Sequence, residues 1–217
     1  MVNFSVPENQ ADDTEDFISI VEENIGTPSV VMEIGALDAD DSALFKKAWP
    51  SARVIAVEGL KENYETHMLK KDGIEAVHAV VAEKDGPVTF HTKGVQGLHS
   101  IYDRGQQYGT DHRNVDAVSL KTLCEGLGVE SIDVMKIDTE GSTWDVLKGM
   151  GPLLGSLKVL HAETEDAEFF RHQHLDSEVT DLLKDSGLIL VFRRSCEILP
   201  GKRQYDSVWL RGSNGTA

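Results

Sequence analysis

The chain has 217 residues, 40% hydrophobic and 27% charged, with Lys+Arg 21 against Asp+Glu 37 and a formal net charge of −16. A field of that sign repels polynucleotides and anionic membranes, and the short basic pairs Arg193-Arg194 and Lys202-Arg203 do not offset it. Two cysteines without CxxC spacing exclude a disulfide framework, and no apolar run approaches the ~18 residues of a membrane span, so one soluble, cytoplasmic α/β domain over residues 1–217 is expected.

Residues 1–13 are polar and acidic and are expected to be loose. Phe17, Ile18, Ile20, Val21 and Ile25 recur at helical spacing up to Gly26, with Asp13 or Thr14 as the cap. Val30 to Ile34 then reads as a buried strand, Gly35 as a sharp turn, and Ala43 to Trp49 as a helix stopped by Pro50 and capped by Asp40, Asp41 or Ser42. A strand over Val54–Val57, a helix from about Lys61 to Lys71 and a strand over Ile74–Val81 complete a β-α-β-α-β order. That order predicts a parallel sheet with a ligand at the strand C-termini.

Gly86 to His91 alternates and predicts an added strand. Residues 92–114 are polar and glycine-dotted, the pattern of a functional lid, with a disordered insertion as the alternative. Beyond them the alternation resumes: helix Leu120–Leu127, strand Ile132–Ile137, helix Thr143–Met150, strand Val159–Ala162, helix Leu175–Lys184. Leu188–Phe192 and Tyr205–Leu210 have no helix between them and should pair antiparallel.

Glu33 sits where the first strand runs out, and Glu58 ends the second, about 20 residues after the glycine turn, where a carboxylate can accept both ribose hydroxyls of a nucleoside. Phosphate is disfavoured: the turn has one glycine, and Asp38, Asp40 and Asp41 crowd the helix start that would otherwise attract an anion. A cationic, phosphate-free nucleoside fits better, and S-adenosylmethionine is such a ligand. Glu33, Gly35, Ala36, Asp41 and Ser42 on the first turn, with Glu58, Gly59 and Val81 on the next two strand ends, form the expected cofactor lining. Met135-Lys-Ile-Asp138-Thr-Glu140-Gly141 brings further carboxylates to a strand end, with Lys136 alternating onto the side of Asp138. Helix capping and pairing with Lys136 is the other reading of these carboxylates.

These motifs resemble the FkbM family of S-adenosylmethionine-dependent methyltransferases. The resemblance rests on EIGA at 33–36, VIAVEG at 54–59, AEKDGPVTF at 82–90, GLHS at 97–100, VSLKTLCE at 118–125, MKIDTEG at 135–141, DVLKG at 145–149 and Ala162-Glu163. It implies a Rossmann-like class I methyltransferase: a mostly parallel seven-stranded sheet, helices on both faces and a C-terminal antiparallel hairpin. It also implies O-methylation of a small molecule or sugar. Ala39 stands where the family's turn has a second glycine, and Thr143 where it has a glutamate. Asp138, Glu163 and His99 are the foremost candidates for the chemistry, with Asp138 also facing the cofactor's charge and Glu165 and His161 as further candidate bases. No metal is expected, since a third ligand beside Asp138 and Glu163 is not apparent. A nicotinamide-dependent oxidoreductase and a non-catalytic nucleoside-binding protein are the alternatives.

Overall fold

The computed structural model describes residues 13–92, 97–106 and 110–212. The expectations of a loose start over 1–12 and of a tail over 213–217 lie outside the described residues. The first half runs α1 (Asp13–Ile25), β1 (Val30–Ile34), α2 (Asp40–Ala48), β2 (Arg53–Glu58), α3 (Lys61–Thr66) and β3 (Ile74–His78), followed by β4 (Val81–Ala82), β5 (Gly86–His91) and β6 (His112–Ser119). The second half runs α4 (Leu120–Leu127), β7 (Val134–Ile137), α5 (Thr143–Gly149), β8 (Val159–Glu165), α6 (Asp176–Asp185), β9 (Leu188–Leu199) and β10 (Lys202–Arg211).

Seven strands form one sheet in the order β3-β2-β1-β7-β8-β10-β9, parallel except for β10, which runs against both its neighbours. The strand order reverses between β1 and β7, and a crevice opens at such a point beyond the carboxyl ends of the strands. Side chains alternate across the sheet and make two cores. Val31, Val54, Val134, Val159 and Val208 pack under Phe17 and Val21 of α1 and Phe45 of α2. Met32, Ile55, Met135, Leu160 and Trp209 face the other way, onto Leu120, Leu147 and Leu183 of α4, α5 and α6.

Four expectations need correcting. α2 begins at Asp40, so Asp40, Asp41 and Ser42 lie in its first turn and the cap is Ala39, which makes no side-chain capping bond. Thr14 lies inside α1 and donates to Asp41 Oδ1 at 2.6 Å, tying two helices together. The helix expected to reach Lys71 ends at Thr66, followed by a 3-10 turn over Met68–Lys70. The strand expected over Ile74–Val81 breaks after His78, because Ala79 N–H donates to Glu58 O (3.1 Å) and Val118 N–H to Val80 O (2.9 Å), drawing the chain into a second sheet of order β4-β6-β5. β6 takes His112 to Asn114, the last residues of the expected lid, into a strand paired with β5.

Candidate active site

The turn after β1 is built by conformation rather than by a glycine series. Gly35 (φ 85°), Leu37 (φ 50°) and Ala39 (φ 60°) all adopt left-handed backbone. Gly35 and Ala36 N–H both donate to Val57 O, at 2.9 and 3.0 Å, which folds the turn over β2. A Cβ at Gly35 would lie 1.9 Å from the carbonyl oxygen of Asp138, so only glycine lets the ends of β1 and β7 approach this closely. Ala39 occupies the place of a second glycine and holds the left-handed geometry at a cost of roughly 1–2 kcal/mol.

A cavity of about 340 Å³ opens beside this turn, a volume in the range of small-ligand sites. Glu58 lines it. Its Oε2 accepts from Leu37 N–H (2.8 Å) and its Oε1 from Leu60 N–H (2.7 Å), which fixes the carboxylate while each oxygen keeps a second lone pair. Burial raises its pKa, and those two N–H groups hold the rise back. Val57, Val80, Val81 and Phe90 make an apolar flank against Gly59, where an added Cβ would meet Phe90 Cζ at 3.0 Å.

The opposite end of the cavity is acidic. Asp138, Glu140 and Glu163 line it and each offers a carboxylate oxygen within 4.8 Å of the others. Glu140, held at φ 47°, stands beside Asp138 and Glu163 as the third carboxylate that the sequence reading of a metal site lacked. The chain itself brings a cation here: Arg104 Nη1 lies 3.5 Å from Glu140 Oε2 and its guanidinium stacks 5.0 Å from the Phe170 ring. Burial, then Asp138, pushes Glu140 up to about 8 against the opposing pull of Arg104. Burial, with Asp138, Glu140 and Glu165 close by, pushes Glu163 well above the ordinary carboxyl range. Thr143 Oγ1, where the family's glutamate was missing, donates to Glu163 O at 2.7 Å and fixes that strand end against α5.

His99 also lines the cavity, 6.5 Å from Phe90 between ring centroids, and burial lowers its pKa so that the imidazole is neutral at pH 7. It belongs to a segment that is packed down: Ser100 Oγ donates to Glu140 O (2.6 Å) and Tyr102 Oη to Asp145 Oδ2 (2.9 Å). Gly97, His99, Ser100 and Ile101 of this segment form part of the cavity wall.

The other predicted residues fall elsewhere. Glu33, Ala36, Asp41 and Ser42 are not on the cavity wall; Glu33 and Ser42 are 2% and 0% exposed and bond to one another at 2.5 Å, behind the turn. His161 is buried against Phe17 of α1 at 5.3 Å, and burial, then Lys136, takes it down to about 4. Glu165 is buried on Gln173 (2.8 Å) and pushed up to about 7 by that burial. Sequence reasoning missed the contributions of Phe90, Thr139 and Arg104. Phe90 carried a signal, as the inward residue of an alternating strand, and Thr139 lay within the MKIDTEG run; Arg104 sits in irregular chain with none.

The residues present suit S-adenosylmethionine. Glu58 can take ribose hydroxyls, the apolar flank a purine, and the acidic end a cationic group, while no lysine or arginine among the described residues lines the cavity to hold phosphate. Glu163 Oε1 and Thr139 Oγ1 are buried on that wall with no hydrogen-bond partner among the described residues, as expected of groups whose partner is a ligand.

Comparison with known proteins agrees. The chain is 22% identical over 185 residues to the 2-O-methyltransferase NoeI of Sinorhizobium fredii, covering 77% of this chain and 76% of that one. Its fold is similar to that of precorrin-6y C5,15-methyltransferase from Geobacter metallireducens (TM-score 0.50, 13% identity, 95% of this chain and 93% of that one). It is also similar to the N-terminal domain of EvdMO1 with S-adenosylhomocysteine bound (TM-score 0.51, 12% identity, 94% and 82%). No helix among the described residues is long and apolar enough to cross a membrane. Residues 29–190 match the methyltransferase FkbM domain, and the chain belongs to that family of S-adenosylmethionine-dependent methyltransferases.

Proposed function

We propose that the enzyme methylates a hydroxyl oxygen of a small molecule or sugar, with Asp138, Glu163 and His99 at the acceptor and Glu58, Gly35, Gly59 and Val81 on the cofactor. The observation that carries this reading is one cavity with a ribose-competent carboxylate at one end and an acid cluster with a neutral histidine at the other. The 2-O-methyltransferase name of a relative supports oxygen as the acceptor. The net charge of −16 speaks against a polynucleotide, and two free cysteines suit a reducing compartment such as the cytoplasm.

The cofactor supplies an electrophilic methyl group on a sulfonium. The protein's part is to align the acceptor and remove its proton. His99, neutral because burial disfavours its charged form, is the proton acceptor at neutral pH. Glu163, kept protonated by burial and its acidic neighbours, can donate a hydrogen bond to the acceptor oxygen. Asp138 offers negative charge to the cationic end of the cofactor.

The test is an acceptor screen of glycosides and hydroxylated metabolites, read as a cofactor-dependent mass gain of one methyl on oxygen. His99→Gln should then lower turnover by at least ~10²-fold with cofactor affinity retained, the scale of a lost general base. Methyl transfer to nitrogen or carbon alone would overturn the acceptor class. A rate that keeps climbing beyond pH 8 and ignores His99→Gln would move the base to Glu163.

A further inference from the structure

Lys136 is a lysine in the middle of a sheet core. Its register partners are Glu33 on β1 and His161 on β8, and its side chain is 12% exposed. Nζ lies 2.5 Å from Asp41 Oδ2, 3.3 Å from Asp138 Oδ2 and 3.7 Å from Glu33 Oε1. Around it stand Thr14 of α1, which donates to Asp41, Ser42 of α2, which donates to Glu33, and His161, whose Nε2 is 4.0 Å from Asp206 Oδ1 of β10. Of these only Asp138 lines the cavity.

Two effects oppose each other. A fixed positive charge two residues before a cation-binding carboxylate should repel a cationic ligand. Against that, Lys136 is the hydrogen-bond partner of the Asp138 side chain among the described residues, and one Asp138 oxygen held by it leaves the other for a ligand. Without Nζ, Glu33, Asp41 and Asp138 would face one another uncompensated, and Asp138 would turn away or take a proton. The repulsion is already blunted, because Asp41 makes the shorter contact to Nζ and neutralises it from the side away from the cavity.

We infer that Lys136 is a positioning residue for cofactor binding: it holds Asp138 aimed into the cavity and links that carboxylate, through Asp41 and Thr14, to the seating of α2 and α1. Orientation outweighs repulsion. The inference rests on Asp138 facing the cofactor, and the same link makes closure of α1 onto α2 part of the binding site although neither helix lines the cavity.

The test is calorimetric titration of S-adenosylmethionine, without acceptor, into the full chain and its variants. Lys136→Met should weaken binding at least tenfold, Lys136→Arg should restore most of it, and in the Asp138→Asn background Lys136→Met should change affinity less than twofold. The paired variant Asp41→Asn with Lys136→Met removes one charge of each sign, guards against misfolding, and should show the same tenfold loss at a near-native melting temperature. Unchanged or tighter binding by Lys136→Met would overturn the inference, since repulsion would then dominate. An equal loss in the Asp138→Asn background would also overturn it, because the lysine would then act through the fold at large. If Asp138→Asn alone leaves affinity intact, the reading of Asp138 fails, and that result stands apart from any effect of Lys136.

Discussion

On the face of the large sheet covered by α4, α5 and α6, Met32 and Ile34, and Met135 and Ile137, stay apolar to the ends of β1 and β7, and β8 shows Leu160 and Ala162 before Thr164, which donates to Asp176 of α6. On the face covered by α1 and α2, Val31, Val134 and Val159 give way two residues later to Glu33, Lys136 and His161, and two further on to Gly35, Asp138 and Glu163. Both faces are buried by helices and both obey the same alternation, so the difference is not one of exposure. One face is spent mainly on cohesion; the other turns from cohesion to charge as it nears the crevice, which shows how a strand can be structural at one end and chemical at the other.

The largest expected effect breaks the apolar face. Leu160→Ala empties a fully buried site and should lower stability by about 2–5 kcal/mol in denaturant unfolding, while cofactor affinity measured below the transition is retained. A parallel loss of affinity would mean that the two faces are not separable.

Glu58→Ala tests the cavity side and should weaken cofactor binding by about 2–3 kcal/mol, read by titration. Because Leu37 and Leu60 N–H lose their acceptor, stability should fall as well, by about 1–2 kcal/mol. Loss of stability without loss of affinity would return Glu58 to a purely structural part.

The smallest effect separates the faces by pH. Glu33 and Glu165 are raised to about 7 and Glu140 to about 8, so above pH 6.5 the folded chain binds more protons than the unfolded one, and stability must fall as pH rises. His161, lowered to about 4, works the other way, but only between there and the ordinary histidine value. Unfolding from pH 6.5 to 8.5 should therefore show declining stability, on the order of 1 kcal/mol over the whole range for each such carboxyl. Glu33→Gln should flatten part of the slope, and a slope that Glu33→Gln leaves unaltered would place Glu33's proton wrongly.

The periodic parts of this architecture were readable from residues alone. Val30 to Ile34 and Val54 to Val57 announce parallel strands by continuous apolar character, and the missing helix between Leu188 and Leu210 announces the reversed hairpin, though not that β10 would lie inside β9. Conformation was harder to read. Ala39 does a glycine's work in a left-handed turn, which no pattern of side chains signals, and this moved the start of α2 to Asp40 and displaced the expected caps. Asp138, Glu163 and Glu58, singled out by their places at strand ends, line the cavity. Glu33, Asp41 and Ser42 stand near the same ends, yet alternation and the turn send them behind the cavity, so nearness in sequence to a strand end did not decide which side of it they serve. The start of β6 carries little pattern, since His112, Arg113 and Asn114 are all polar and exposed.

The small sheet has one more consequence. Val81 and Ala82 pair with Val118 and Ser119, so the chain departs from the main scaffold and rejoins it at the same spot. The described residues between these adjacent roots bring Phe90 and His99 to the cavity wall and Arg104 beside Glu140. Such a segment can be exchanged as a graft without re-registering any strand of the large sheet.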